Sequence, residues 1–173
     1  MSSKIRIKEL CLTNYRNHNK LKLRIQKEII LLYGENGSGK TNILEAISML
    51  SCPAGFRSSK LPNLFPNDLE KNYLNFSINF NLLSDKEQLM IGIGISEKNN
   101  TQTKLIKVDG AKVNNYAFYK KYNIFWLLPS MNNLFNSNAS ERRSFLDLMI
   151  TSGEKSHQEN INIYKKLQSE RLK

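Results

Sequence analysis

Charged and apolar residues alternate at the start of the chain, where Ile5 and Ile7 stand among Lys4, Arg6 and Lys8. With the apolar group Leu10-Cys11-Leu12 that follows, this pattern predicts a strand over residues 4–12. Leu21, Leu23 and Ile25 alternate with Lys22 and Arg24, the period-2 mark of a second, half-buried strand. The polar residues 13–19 between them read as a loop. Ile29-Ile30-Leu31-Leu32-Tyr33 is apolar without interruption, as expected of a strand buried on both faces of a sheet, and it leads into a glycine-rich segment. Beyond Lys40, Ile43, Ala46, Ile47 and Leu50 recur at helical spacing until Pro53-Ala54-Gly55 stops the helix.

Three strand patterns follow, over residues 73–83, 88–95 and 103–108. The turn candidates are Ser84-Asp85-Lys86, Asn99-Asn100 and Asp109-Gly110. Turns this short imply antiparallel pairing, because a parallel pair needs a crossover of a dozen residues or more. Residues 123–128 read as a further strand ending at Pro129. Asn138-Ala139-Ser140-Glu141 has the spacing of a capping box. The helix it opens carries Phe145, Leu146, Met149 and Ile150 on one stripe and closes at Gly153. From His157 a last helical pattern passes through Ile161, Tyr164, Leu167 and Arg171 to Lys173 without a stop signal, so the expectation is a truncated form of a longer protein.

The segment Gly34-Glu35-Asn36-Gly37-Ser38-Gly39-Lys40-Thr41 carries the chemistry. Glycines at these spacings let the backbone curl with its N–H groups inward, and the N-terminus of the next helix adds its dipole, so a phosphate meets several donors at once. Lys40 is expected to supply charge to the β- and γ-phosphates, and the Thr41 hydroxyl to bind Mg²⁺. The pattern arises by accident in roughly one chain in a hundred of this length at ordinary residue usage. Hydrolysis needs more: an acidic residue at the end of a second apolar strand, to hold the metal. Leu105-Ile106-Lys107-Val108-Asp109 is interrupted by lysine, and Phe145-Leu146-Asp147 is too short and falls on a helix. The chain is therefore expected to hold half of an ATPase site.

Composition narrows the classes further. Apolar content of 40% and charged content of 24% are ordinary for a soluble globular protein, and no apolar run approaches the roughly 20 residues of a membrane span, so a cytoplasmic protein is expected. Cys11 and Cys52 are the two cysteines and read as reduced structural thiols; His18 and His157 read as surface histidines. The net charge of +11 suits a polyanionic partner. Nineteen of the 26 basic residues are lysine and asparagine occurs 22 times, so A-rich codon usage explains the same balance, and charge alone leaves both open.

Six blocks together resemble the RecF family of SMC-like ABC-type ATPases. They are Leu12-Thr13-Asn14-Tyr15-Arg16-Asn17; the glycine loop continued by Asn42-Ile43-Leu44-Glu45-Ala46-Ile47; Phe56-Arg57-Ser58; Val108-Asp109-Gly110; Arg142-Arg143-Ser144-Phe145-Leu146-Asp147; and residues 164–172 with Glu170-Arg171. The resemblance implies an α/β fold: the N-terminal half of a P-loop ABC-type ATPase head, with an antiparallel β lobe and the start of a helical arm. It sets a partial ATP-binding head at 1–153, made of a P-loop core at about 1–60, the lobe at about 73–113 and a helical segment at about 130–153, with the arm from 157 to 173. It further implies ATP and Mg²⁺ as cofactors, an ATP-dependent homodimer, binding to single-stranded or gapped DNA, RecR and RecO as partners, and roles in repair, replication restart and the SOS response. Arg16 and Arg57 become candidates for nucleotide or DNA contact. Leu128-Pro129-Ser130-Met131 departs from the Pro-Glu that many relatives carry there.

Two other classes compete. A small P-loop nucleotide kinase suits the length, with Arg142 and Arg143 as phosphate clamps, but it would alternate strand and helix where this chain has successive antiparallel strands. The other is a non-catalytic fragment that binds nucleotide weakly. A GTPase would need an Asn-Lys-x-Asp segment, which the sequence lacks.

Overall fold

Strands β1 (Arg6–Tyr15) and β2 (His18–Arg24) form a hairpin that is tighter than the polar loop expected at 13–19. Tyr15 pairs with His18, so only Arg16 and Asn17 remain in the turn. Arg16 adopts φ 56, the left-handed conformation a two-residue hairpin turn demands and a side chain other than glycine resists. This computed structural model describes residues 5–66, 75–84, 87–98, 101–119, 121–136, 138–154 and 156–171. Tyr73, Asp85, Lys86, Asn99, Asn100, Leu172 and Lys173, which belong to the segments and turns read above, lie outside them.

Helix α1 (Lys40–Ser48) follows the glycine loop, and the antiparallel strands come after it: β3 (Ser77–Leu83), β4 (Gln88–Lys98), β5 (Thr101–Val108) and the short β6 (Ala111–Lys112). All pair antiparallel in one sheet of order β2-β1-β3-β4-β5-β6. The Asp109-Gly110 turn forms as expected, with φ 49 and 83 at its two residues.

The register explains the core. Leu21, Leu12, Ile78, Ile93 and Ile106 stand opposite one another across five strands, and Leu23, Leu10, Phe80, Ile91 and Val108 form a second row. Because side chains alternate between faces, both rows lie on one side of the sheet. Leu10, Leu12, Ile78 and Ile106 are fully buried, and each such side chain contributes about 1.5–3 kcal/mol through removal from water. Lys20, Lys22 and Arg24 charge β2, which is an edge strand among the described residues, and such charge disfavours further pairing.

Two expected strands do not form. Residues 29–33 are irregular, with Ile29, Leu31 and Tyr33 exposed to 91%, 81% and 88%. Residues 123–128 are irregular too, and Leu127 is exposed. An apolar run becomes a strand only when another strand satisfies its backbone groups, and among the described residues none pairs with either segment.

The chain divides into a unit of residues 1–119 and a unit of residues 120–173. The first ends with the short helix α2 (Asn115–Tyr119). The second holds a 3₁₀ segment (Pro129–Asn136) and helices α3 (Ala139–Gly153) and α4 (Ser156–Arg171). The N-cap half of the expected box forms, with the Glu141 N–H donating to Asn138 Oδ1 at 2.9 Å, while the Glu141 carboxylate accepts from the Asn138 side-chain amide at 3.3 Å. Of the expected stripe, Leu146, Met149 and Ile150 are exposed, while Phe145 meets Phe125 edge-on with ring centroids 6.3 Å apart. His157, expected on the surface, is half-buried and links α4 to Asp147 of α3 at 2.9 Å.

Candidate functional site

Residues 34–39 curl into the N-terminus of α1, with positive φ at Gly34, Gly37 and Gly39. Gly39 occupies the N-cap position and, having no side chain, leaves the first helical N–H groups without a side-chain cap. Such an open helix start is an anion-binding arrangement. Lys40, the first helical residue, folds back over the loop: its Nζ donates to the carbonyls of Gly34 at 2.8 Å and Glu35 at 2.6 Å, and to Ser38 Oγ at 3.3 Å. The ammonium thus sits at the mouth of its own loop. Glu35, Asn36 and Ser38 are exposed there, and Thr41 is exposed on the first turn of α1. These residues suit a polyphosphate with its magnesium ion: an uncapped helix start, one cation and one hydroxyl. When bound, Mg²⁺ would offset phosphate charge, with Thr41 as the residue to hold it. Among the described residues no group of three or more His, Cys, Asp and Glu side chains forms a separate metal site.

One turn along the same helix, Glu45 is fully buried and organises a charged network. Arg16 meets its carboxylate bidentately, Nε to Oε2 at 2.9 Å and Nη2 to Oε1 at 2.7 Å. Ser59 Oγ donates to Oε1 at 2.8 Å, and Arg57 Nη1 lies 3.6 Å from Oε2. Arg57 also donates to Asn42 Oδ1 at 2.8 Å. Burial alone would lower the pKa of Arg16, but the hydrogen bonds and charge of Glu45 outweigh it and hold the guanidinium above its ordinary value. Burial also pushes the Tyr15 phenol far upward, and the Glu45 charge adds to the shift. Arg16, Asn17, Asn42, Asn63 and Phe65 line an open cleft of about 310 Å³ beside this network.

The structure therefore brings the eight loop residues, Arg16 and Arg57 into one neighbourhood around α1. Arg142 and Arg143 lie on α3 in the second unit, both exposed. Glu45 and Ser59 were not singled out from the sequence. No sequence signal marked Glu45, because helical spacing puts it on the face opposite Ile43, Ala46, Ile47 and Leu50, which reads as the solvated one. His18, expected on the surface, is half-buried with Nε2 3.2 Å from the Gly39 carbonyl. Cys11 and Cys52 are free thiols, and burial raises the pKa of Cys11.

The model of the RecF/RecN/SMC N terminal domain matches residues 6–125. The chain belongs to this family. Among curated relatives of this RecF/RecN/SMC chain, the DNA replication and repair proteins RecF of Rickettsia typhi and Rickettsia prowazekii are each 36% identical to it over 169 residues, covering 95% of it and 44% of their own length. It thus spans less than half the length of those relatives. A solved structure of the recombination mediator protein RecF-ATP in the RecFOR pathway is similar with TM-score 0.75 and 29% identity, covering 98% of this chain and 46% of that one. A second structure of that mediator, with ATPrS, gives TM-score 0.78 and 30% identity over 96% of this chain and 44% of that one. The fold is accordingly the expected mixed α/β arrangement with an antiparallel sheet, similar to the N-terminal part of RecF.

Proposed function

We propose that this chain is the phosphate-binding part of a RecF-type DNA replication and repair protein, holding ATP and Mg²⁺ on residues 34–41. The observation that carries the reading is the glycine loop curled into an uncapped helix start with the Lys40 ammonium across its mouth. Backbone N–H groups and Lys40 take the phosphates, and the Thr41 hydroxyl takes the metal. Arg16 and Arg57, side by side on one buried carboxylate, are the nearby cations for nucleotide or DNA phosphate. Similarity to a structure described as RecF-ATP supports the choice of nucleotide.

Binding to single-stranded or gapped DNA belongs to the same proposal, supported by the net charge of +11. So do RecR- and RecO-type partners, an ATP-dependent homodimer, a role in the SOS response and a cytoplasmic location. No helix among the described residues is long and apolar enough to cross a membrane.

Turnover by this chain alone is not part of the proposal. The two acids closest to the pattern of a metal-holding strand are engaged elsewhere: Asp109 Oδ1 accepts the Met90 N–H at 2.8 Å, and Asp147 bonds His157. Phosphate release from ATP, with and without gapped DNA, tests this directly. The expected result is release at the uncatalysed rate. DNA-stimulated release that disappears in Lys40→Ala would overturn the half-site reading.

A further inference from the structure

We propose that the β1–β2 turn is a brace for the phosphate loop, with Asn17 and His18 as positioning residues and Glu45 as their anchor. This rests on the reading of residues 34–41 as a phosphate-binding loop.

Asn17 Nδ2 donates to the Gly37 carbonyl at 3.1 Å, and His18 Nε2 meets the Gly39 carbonyl at 3.2 Å. In a trans peptide the C=O and the following N–H point in opposite directions. A donor holding the Gly37 carbonyl from outside therefore turns the Ser38 N–H inward, where it meets the Glu35 carbonyl at 3.2 Å. The grip on the Gly39 carbonyl likewise fixes the Lys40 N–H at the helix start. That carbonyl also accepts the N–H groups of Asn42 and Ile43, so His18 acts on the junction between loop and helix. The Lys40 N–H at the helix start is the kind of donor such a loop offers a phosphate, while the Ser38 N–H is held by the Glu35 carbonyl.

The brace fits closely. A Cβ at position 39 would overlap the His18 ring and the Asn17 amide oxygen, so glycine there serves the contact as well as its φ of 94. Asn42 Nδ2 donates to Asn17 Oδ1 at 2.8 Å, tying the turn to the first turn of α1. The turn is held from behind, because Arg16 is clamped on Glu45 and its N–H donates to the Leu64 carbonyl at 2.8 Å. On the loop's other side, residues 29–33 are irregular and largely exposed. Holding the peptide planes before ligand arrives lowers the ordering cost of binding.

The test uses the ¹⁵N-labelled 173-residue chain and three readouts: amide exchange at Ser38 and Lys40 without ligand, calorimetric affinity for Mg-ATP and for Mg-tripolyphosphate, and thermal melting. Asn17→Ala and His18→Ala are each expected to speed loop exchange about tenfold and to weaken both polyphosphates about tenfold alike, the scale of one net hydrogen bond. Melting should stay unchanged in Asn17→Ala, because Asn17 is exposed, and His18→Ala is read against its His18→Gln partner. His18→Gln, whose terminal amide nitrogen reaches the place of Nε2, should restore exchange and affinity. Glu45→Gln should add little to affinity loss in the Asn17→Ala background, and the alanine variants carry the test if it does not fold. Unchanged exchange and affinity in both alanine variants would overturn the brace, as would an affinity loss that tracks a fall in melting temperature. A parent chain that binds neither polyphosphate, while its variants still change exchange, removes the nucleotide reading and leaves the brace standing.

Discussion

Leu12 and Leu31 both lie in apolar stretches of the first unit, yet Leu12 is 0% exposed and Leu31 81%. The sheet around Leu12 assembles from neighbours in sequence: β1 turns into β2 through two residues, and β5 into β6 through Asp109-Gly110. Antiparallel hairpins of this kind close locally. The run at 29–33, followed by a loop and a helix, has instead the pattern of a strand buried on both faces, which sits in a sheet of distant partners. An apolar pattern states a demand for burial; whether it is met depends on which strands are at hand.

Core truncation is the sharpest way to break that comparison. Phe80→Ala, at a site only 2% exposed, should cost about 3–5 kcal/mol in urea denaturation, while Leu31→Ala should stay within about 0.5 kcal/mol. Similar losses at the two sites would mean that 29–33 is packed in solution after all. Next comes the link between the sheet and α1: Arg16→Ala strips a fully buried Glu45 of its bidentate partner and should cost about 3 kcal/mol in the same assay. A loss below about 1 kcal/mol there would make the pair an ordinary surface salt bridge.

A smaller effect is expected in the second unit, where α3 exposes much of its stripe and depends more on its cap. Asn138→Ala should cost about 1 kcal/mol, read as reduced helix content by far-UV circular dichroism on mild warming. The gentlest probe is alkaline pH. Burial raises the Tyr15 phenol far above its ordinary value and pushes that of Tyr119 up to about 12. Because the unfolded chain ionises these phenols near pH 10 and the folded chain holds them neutral, their contribution is complete below about pH 10. It is then lost as pH rises, for Tyr119 between about 10 and 12. Urea midpoints across that interval should fall in the parent chain and fall less in Tyr15→Phe.

What could be read from the sequence follows the same division. The antiparallel lobe was legible because alternation and short turns are local signals, and the N-cap at Asn138 was legible for the same reason. The strands expected at 29–33 and 123–128 were not realised, since strand formation depends on partners that a pattern does not reveal. The tight turn at Arg16 was hidden because no glycine marks its positive φ. At the candidate site, the curl of the glycine loop into a helix start was legible from fixed spacing. The contacts that hold it were not: Asn17 and His18 lie about twenty residues from Gly37 and Gly39 in sequence, and Glu45 resembles any helical carboxylate until its burial is known.

The central claim is that residues 34–41 hold nucleotide phosphates, and calorimetric titration of the 173-residue chain with Mg-ATP tests it most directly. The account expects weak one-site binding that Lys40→Ala abolishes while the sheet stays folded by circular dichroism. Equal binding by the parent and Lys40→Ala, or none by a folded parent chain, would contradict it.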